Sequence, residues 1–294
     1  MQANPTKMVE TFALVAQPMT RADIPRLHEL SVSVGWMHRA QDWAAMLELG
    51  HGLFVVDEIG RAVASAMWFP MGEDLASVGM VITVPRLQEN GTGRWLMRQV
   101  LARTGGRELI LSSTPAAYRL YCSLGFQTGP QIYQHNGYVA AQPSQPAAEP
   151  GFRIRPLSSP GDDTAIRALD ALAFTAPRRA VLDHLLAVAD GTVLLRGDRI
   201  TGFALCRRFG RGRVIGPVVA DTEAEAMALI APHIRAHAGT FLRMDTRQPE
   251  GPLRAYLTAC GLKLHEAGTS MNLGANRLDQ RNPRIYGLVS QALG

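Results

Sequence analysis

The sequence predicts an α/β fold with a mixed sheet, present twice in tandem. Three observations predict it. A Pro-, Ala- and Gln-rich stretch, GYVAAQPSQPAAEPG at Gly137 to Gly151, divides the 294 residues into nearly equal halves. The two halves repeat one order of strand-like and helix-like patterns. In the first half, an apolar strand-like run also passes through a glycine bend directly into an amphipathic helix.

Each half opens on a short strand, FALVAQP in one and FRIRPLS in the other. An amphipathic helix follows, marked by Ile24, Leu27 and Leu30, then again by Ile166, Leu169 and Leu172. Gly52 to Phe69 and Gly191 to Phe209 each read as two strands joined by a turn. A third strand comes next, VGMVITV against VIGPVVA, and leads into a helix. Both halves end on a helix closed by glycine, YRLYCSLGF and RAYLTACGL, and then a last strand. Each copy is therefore βα(α)βββαβαβ. The expected division is a first domain over 1–138, a linker over 139–151, a second domain over 152–274 and a tail over 275–294. After its proline stop, the tail reads as a short docked helix.

Composition narrows the class. Hydrophobic residues make up 47% and charged residues 19%, as in an ordinary soluble protein. No apolar run approaches ~18 residues, so no membrane span is expected. The start lacks a basic segment followed by an apolar one, so no secretory signal is expected either. Three widely spaced cysteines match neither a disulfide framework nor a zinc set, and His38 and His51 lack partners at ligand spacing. The expectation is a cytoplasmic protein without a metal. Residues 1–150 hold 11 Lys and Arg against 12 Asp and Glu, and residues 151–294 hold 19 against 13. The excess gathers at Arg207, Arg208, Arg211 and Arg213 around one Gly-containing turn, which reads as a solvated hairpin and not as a nucleic-acid surface.

The bend QENGTG at Gln88 to Gly93 carries the chemistry. A Walker loop needs a lysine that is absent here, and a Rossmann fingerprint needs a third glycine. A pyrophosphate cradle at a helix N-terminus fits. There Gly91 and Gly93 admit the phosphates close to the backbone, and amides from Gln88 to Arg94 face the positive end of the helix dipole.

Gln88-Glu89-Asn90-Gly91-Thr92-Gly93 resembles the Arg/Gln-x-x-Gly-x-Gly/Ala signature of the GCN5-related N-acetyltransferase (GNAT) family. About two dozen residues later, TPAAYRLYCSLGF resembles the family's second motif, a helix bearing Leu-Tyr-x-x-Leu-Gly-Phe. The likeness covers residues 11 to 136 well and 152 to 274 in degenerate form, which resembles the tandem two-domain subgroup. It implies that acetyl-CoA is the cosubstrate and an amine the acceptor. The strand Ile82-Thr83-Val84 would bind the pantetheine arm, and the Gln88 to Arg94 segment, Glu89 and Thr92 included, would hold the pyrophosphate. Thr114, where many members carry Asn, and Tyr118 would flank the cofactor. Tyr121 would protonate the departing thiolate.

Glu73 and Asp74 are the carboxylates offered as a base acting through water. Trp36 is expected to line the acceptor pocket, and Asp245 to reach an amine across the domain interface. The acceptor stays open, from a small amine to a protein lysine. The second copy presents Asp221, Glu223 and Glu225 in place of the glycine loop and Leu257 in place of Tyr121. It is expected neither to bind acetyl-CoA nor to catalyse, leaving it to wall the pocket, to form a homodimer or to sense a ligand. An alternative function is a sensor that binds acyl-CoA, or a small ligand, without turnover.

Overall fold

The computed structural model describes residues 4–9, 12–146, 151–158, 160–174, 176–275 and 283–294. The first half forms β1 (Thr6–Val9), β2 (Phe12–Pro18), α1 (Ile24–Ser33), α2 (Ala40–Leu49), β3 (His51–Val56), β4 (Ala62–Met71), β5 (Leu75–Thr83), α3 (Thr92–Leu101), β6 (Glu108–Ser113), α4 (Tyr118–Cys122) and β7 (Gln127–Tyr138). The second forms β8 (Arg153–Pro156), α5 (Pro160–Phe174), α6 (Arg179–Val188), β9 (Asp190–Arg196), β10 (Arg199–Phe209), β11 (Gly212–Ala220), α7 (Glu223–Ala236), β12 (Phe241–Thr246), α8 (Pro252–Ala259), β13 (Lys263–Leu273) and β14 (Arg284–Gly287). The repeat read from sequence is present. β1, which pairs antiparallel with β2, is an addition to it. Residues 147–150 of the expected linker and 276–282 of the expected tail lie outside the described residues.

The described strands build one sheet in the order β1-β2-β3-β4-β5-β6-β13-β7-β12-β11-β10-β9-β8, with β14 added against β11. Its middle interleaves the two halves. β13 of the second half lies between β6 and β7, and β7 of the first half lies between β13 and β12. Thr269 stands opposite Ser113 on one side, and Tyr133 pairs with both Ala267 and Thr246.

Two helical layers cover the sheet. α1, α2, α5 and α6 share a core that joins the halves, with Trp43, Phe69 and Leu75 in the same cluster as Phe203, Leu205 and Val289. On the opposite face, α3 seats Leu96, Met97 and Val100 under β3–β5, as its apolar stripe requires, and α7 with α8 covers the second half. The expected tail helix is not what forms. Its described part is the strand β14, followed by a turn closed by the Gly294 N–H bond to Ser290 O. Alternating Arg284, Ile285 and Tyr286 suit a strand, and an edge awaits them on β11.

Candidate active site

The site grows out of one irregularity in β5. Ser65 stands opposite Ile82 and Met67 opposite Gly79, so β5 holds one residue more than β4 across that interval. Met80 takes a φ of 53° there, and its carbonyl oxygen accepts the Ser65 hydroxyl at 2.7 Å. Such a bulge bends its strand. β5 therefore pairs with β6 only from Leu75 to Val78, and the later residues of β5 diverge from β6. The edge of β5 that carries Ile82 and Thr83 is left without a β6 partner, while the Val84 N–H, expected at the pantetheine arm, donates to Val63 O at 3.0 Å instead.

α3 begins at the far end of this wedge. The Gln88 N–H, expected among the cradle donors, donates instead to Pro85 O at 3.1 Å, because Pro85–Leu87 closes a 3-10 turn. The Gln88 side chain turns back onto Thr83 O. The first helical bond runs from Trp95 N–H to Gly91 O, so the amides of Thr92, Gly93 and Arg94 precede it. Gly91 adopts φ +72°, a left-handed conformation that suits glycine. Around a Cβ placed there, only Lys7 Nζ comes within 4 Å, at 3.9 Å, so the approach to the cradle is open. The Thr92 hydroxyl is buried without a partner among the described residues, so of its polar groups only the N–H is available to the expected cradle. Glu89, Asn90 and Arg94 are exposed around the bend.

A cavity of about 530 Å³ opens off the wedge. Tyr121 lines it beside Val78–Val81, Ser112 and Thr114. Burial alone pushes the Tyr121 hydroxyl well above its ordinary range, so the phenol keeps its proton at neutral pH. Tyr118 is turned elsewhere, its hydroxyl 2.7 Å from that of Thr128.

The opposite wall comes from the second half and the C-terminal turn. Phe209, Arg211, Phe241, Arg243, Glu266 and Ala292 line it, facing Trp36 and His38. The His38 ring meets Trp36, Trp43 and Phe209 edge-on, and burial lowers its pKa to about 4, so it is neutral. Asp42 of α2 accepts the Gly210 N–H at 2.9 Å and ties the first half to the turn that bears Arg211.

Several expected acceptor-side residues are corrected. Glu73 and Asp74 are exposed at the β4–β5 hairpin tip, next to Gly72 and Pro177, at the end of β5 remote from the bulge. Neither lines the cavity. Asp245 is fully buried, and both carboxylate oxygens accept from Arg243, so it orients that arginine and does not itself face the cavity. Trp36 does line the cavity. Glu266 and Arg243 were not anticipated. No local pattern marks them, since they reach the cavity only through the interleaving of β13 and β7.

The second half repeats the bulge. Ala204 stands opposite Val218 and Cys206 opposite Ile215, so β11 likewise gains a residue, and it pairs with β12 only at Arg213 and Val214. There the wedge is filled. β14 pairs with β11 through Val218, Val219 and Ala220, and Leu288 N–H donates to Asp245 O on β12 at 2.8 Å. A Cβ on Gly216 would fall 1.8 Å from Leu288 O. The start of α7 is occupied too: Glu225 Oε2 accepts the Asp221 and Thr222 N–H groups at 2.9 and 3.2 Å, and Thr222 Oγ1 accepts the Glu225 N–H.

Models of the acetyltransferase (GNAT) domain match residues 28–145 and, separately, residues 166–287. The chain belongs to the GNAT acetyltransferase family, with two such domains in tandem. The uncharacterized N-acetyltransferase YitH of Bacillus subtilis is 22% identical over 92% of this GNAT chain and 98% of its own length. A crystal structure from Pyrococcus horikoshii superposes with a TM-score of 0.74 at 18% identity, over 96% of both chains. A tandem GNAT protein from the clavulanic acid biosynthesis pathway superposes at 0.63 with 15% identity, over 90% of this chain and 99% of its own. At these identities the solved structures share the fold. Membership of the family makes the chain an acyltransferase, and none of its described helices is long and apolar enough to cross a membrane.

Proposed function

We propose that the chain is a cytoplasmic acetyl-CoA-dependent N-acetyltransferase whose first domain transfers the acetyl group directly to an amine. The contrast between the two wedges carries this reading. In the first domain, the bulged part of β5 and a tyrosine line one cavity, and the edge of β5 runs on from it toward a glycine-led helix start. In the second, β14 fills the wedge and Glu225 takes the helix-start amides.

The residues of the first domain then divide the work. The edge of β5 at Ile82 and Thr83 binds the pantetheine amides, and the amides from Asn90 to Arg94 hold the pyrophosphate. The acceptor nitrogen forms a bond to the acetyl carbon and gives up a proton to water, while main-chain N–H groups near the Met80 bulge stabilise the negative oxygen. As the carbon–sulfur bond breaks, Tyr121 gives its proton to sulfur and regains one from solvent. A phenol kept protonated by burial suits that step, since a thiolate in the same apolar setting is a strong base. The second domain supplies the acceptor wall.

Calorimetric titration with acetyl-CoA tests the reading. One site per chain is expected, abolished in Gly91→Glu, where a carboxylate and a disfavoured φ enter the cradle. Two sites would contradict the silence of the second domain, and no binding would remove the enzyme reading.

A further inference from the structure

We propose that the acceptor carries a carboxylate in addition to the amine that is acetylated, and that Arg243 and Arg211 bind it. The amine half of this statement rests on the acyltransferase reading above; the carboxylate half rests on the wall itself.

Arg243 is a prearranged donor. Its Nε lies 3.0 and 3.2 Å from the two Asp245 oxygens, and its Nη2 lies 2.7 Å from Oδ2. Asp245 is fully buried, so the guanidinium plane is held from behind. Nη1 has no hydrogen-bond partner among the described residues, and the residue lines the cavity.

Arg211 is prearranged by other means. Its guanidinium carbon sits 4.9 Å from the Phe241 ring centroid and 5.3 Å from that of Tyr138, and Nη2 donates to the Tyr138 hydroxyl at 2.9 Å. No ion pair of Arg211 forms among the described residues, so its charge is not neutralised. The bond from Gly210 N–H to Asp42 fixes the turn that presents it.

The charge balance of the cavity selects the ligand. Among the described residues Arg243 is ion-paired with Asp245, while Arg211 and Glu266, which also line the cavity, form no ion pair. His38 is held neutral, so the wall offers one unpaired cation, one unpaired carboxylate and the free Nη1 of Arg243. A polyamine could pair with Glu266 but would leave Arg211 and the Nη1 of Arg243 without an anionic partner. An amino-acid-type acceptor satisfies both sides, with its carboxylate on the guanidinium wall and its amine toward Tyr121 and Glu266. Trp36, Phe209 and Phe241 offer apolar cover for the chain between them. β12 stands three strand spacings from β6, roughly 14 Å at ~4.8 Å each, so several bonds separate the two ends of the acceptor.

The test compares two ladders of product-like probes by calorimetry: N-acetyl-4-aminobutyrate, N-acetyl-6-aminohexanoate and N-acetyl-8-aminooctanoate against N-butyl-, N-hexyl- and N-octylacetamide. At one length or more, the carboxylate member is expected to bind about tenfold tighter or better. That advantage should vanish in Arg243→Gln and in Arg211→Gln; the second lies on an exposed turn, so the test survives if the first fails to fold. Equal binding of both ladders at every length overturns the proposal, as does an advantage that survives both substitutions, or no binding by either ladder. CoA release from acetyl-CoA with the parent amines separates the two readings. Carboxylate-dependent binding without CoA release would remove the acyltransferase assignment and keep the anion site. Release with alkylamines as fast as with the amino acids would do the reverse.

Discussion

The Ser65 hydroxyl donates to the Met80 carbonyl oxygen at 2.7 Å, inside the sheet, and this bond holds β5 in the bulge that opens the wedge. Ser65→Ala removes this donor from a buried carbonyl, at a cost of about 1–3 kcal/mol. The expected result is a lowered melting temperature together with acetyl-CoA affinity reduced by about tenfold, read by thermal melts and calorimetry. A lowered melting temperature with unchanged affinity would separate the bulge from donor binding.

Tyr121→Phe removes one oxygen atom from a buried ring that packs edge-on against Phe126. Fold and cofactor affinity should stay within about twofold of the parent, while kcat falls by about 10²–10⁴-fold. Turnover close to the parent would move the proton donor elsewhere and leave Tyr121 as a core aromatic.

A Cβ on Gly79 would fall 2.5 Å from the Ala292 Cβ and 2.8 Å from its Cα, and the Ser77 hydroxyl bonds the Ala292 oxygen on the same face. Gly79→Ala must therefore displace the C-terminal turn, at about 1–3 kcal/mol. Because that turn lines the acceptor side, the acceptor KM should rise by more than the acetyl-CoA Kd. Steady-state kinetics with both substrates varied reads the difference.

Stability should fall between pH 6.5 and about 4. Burial lowers the pKa of both His38 and His233 from 6.5 to about 4, so the native state refuses protons that the unfolded chain accepts in that window. Below pH 6.5 each ring then weakens the fold by up to ~1.4 kcal/mol per pH unit, and the loss levels off once pH passes the native value. Denaturant titrations at pH 7, 6 and 5 check this. His38→Phe should reduce the slope between pH 6 and 5 by about one proton, and an unchanged slope would mean that His38 titrates normally.

Local patterns carried the repeat, the Gly91 bend, the apolar stripe of α3 and the contrast between Tyr121 and Leu257, because each is written within a dozen residues. Strand partners are not written that way. QTGPQIYQHNGY reads as a strand, but nothing in it states that Tyr133 will face both Ala267 and Thr246. With those neighbours hidden, Glu266 and Arg243 could not be assigned to the cavity, and Asp245 looked like a free carboxylate. RIYG was assigned to a helix because the wedge that makes it a strand lies on β11, some 65 residues earlier in the chain.

The interleaving of β7 and β13 makes the two domains interlocked links, not beads on a string. A protease cut in the exposed segment near Gln142 should leave two fragments that co-elute until denatured, since each still holds a strand inside the other's sheet. Neither fragment made alone should fold, because each would lose the strand that closes its own sheet. Losing the second domain's ability to bind a donor would therefore not have made it dispensable: it could shed its chemistry, but not its strand.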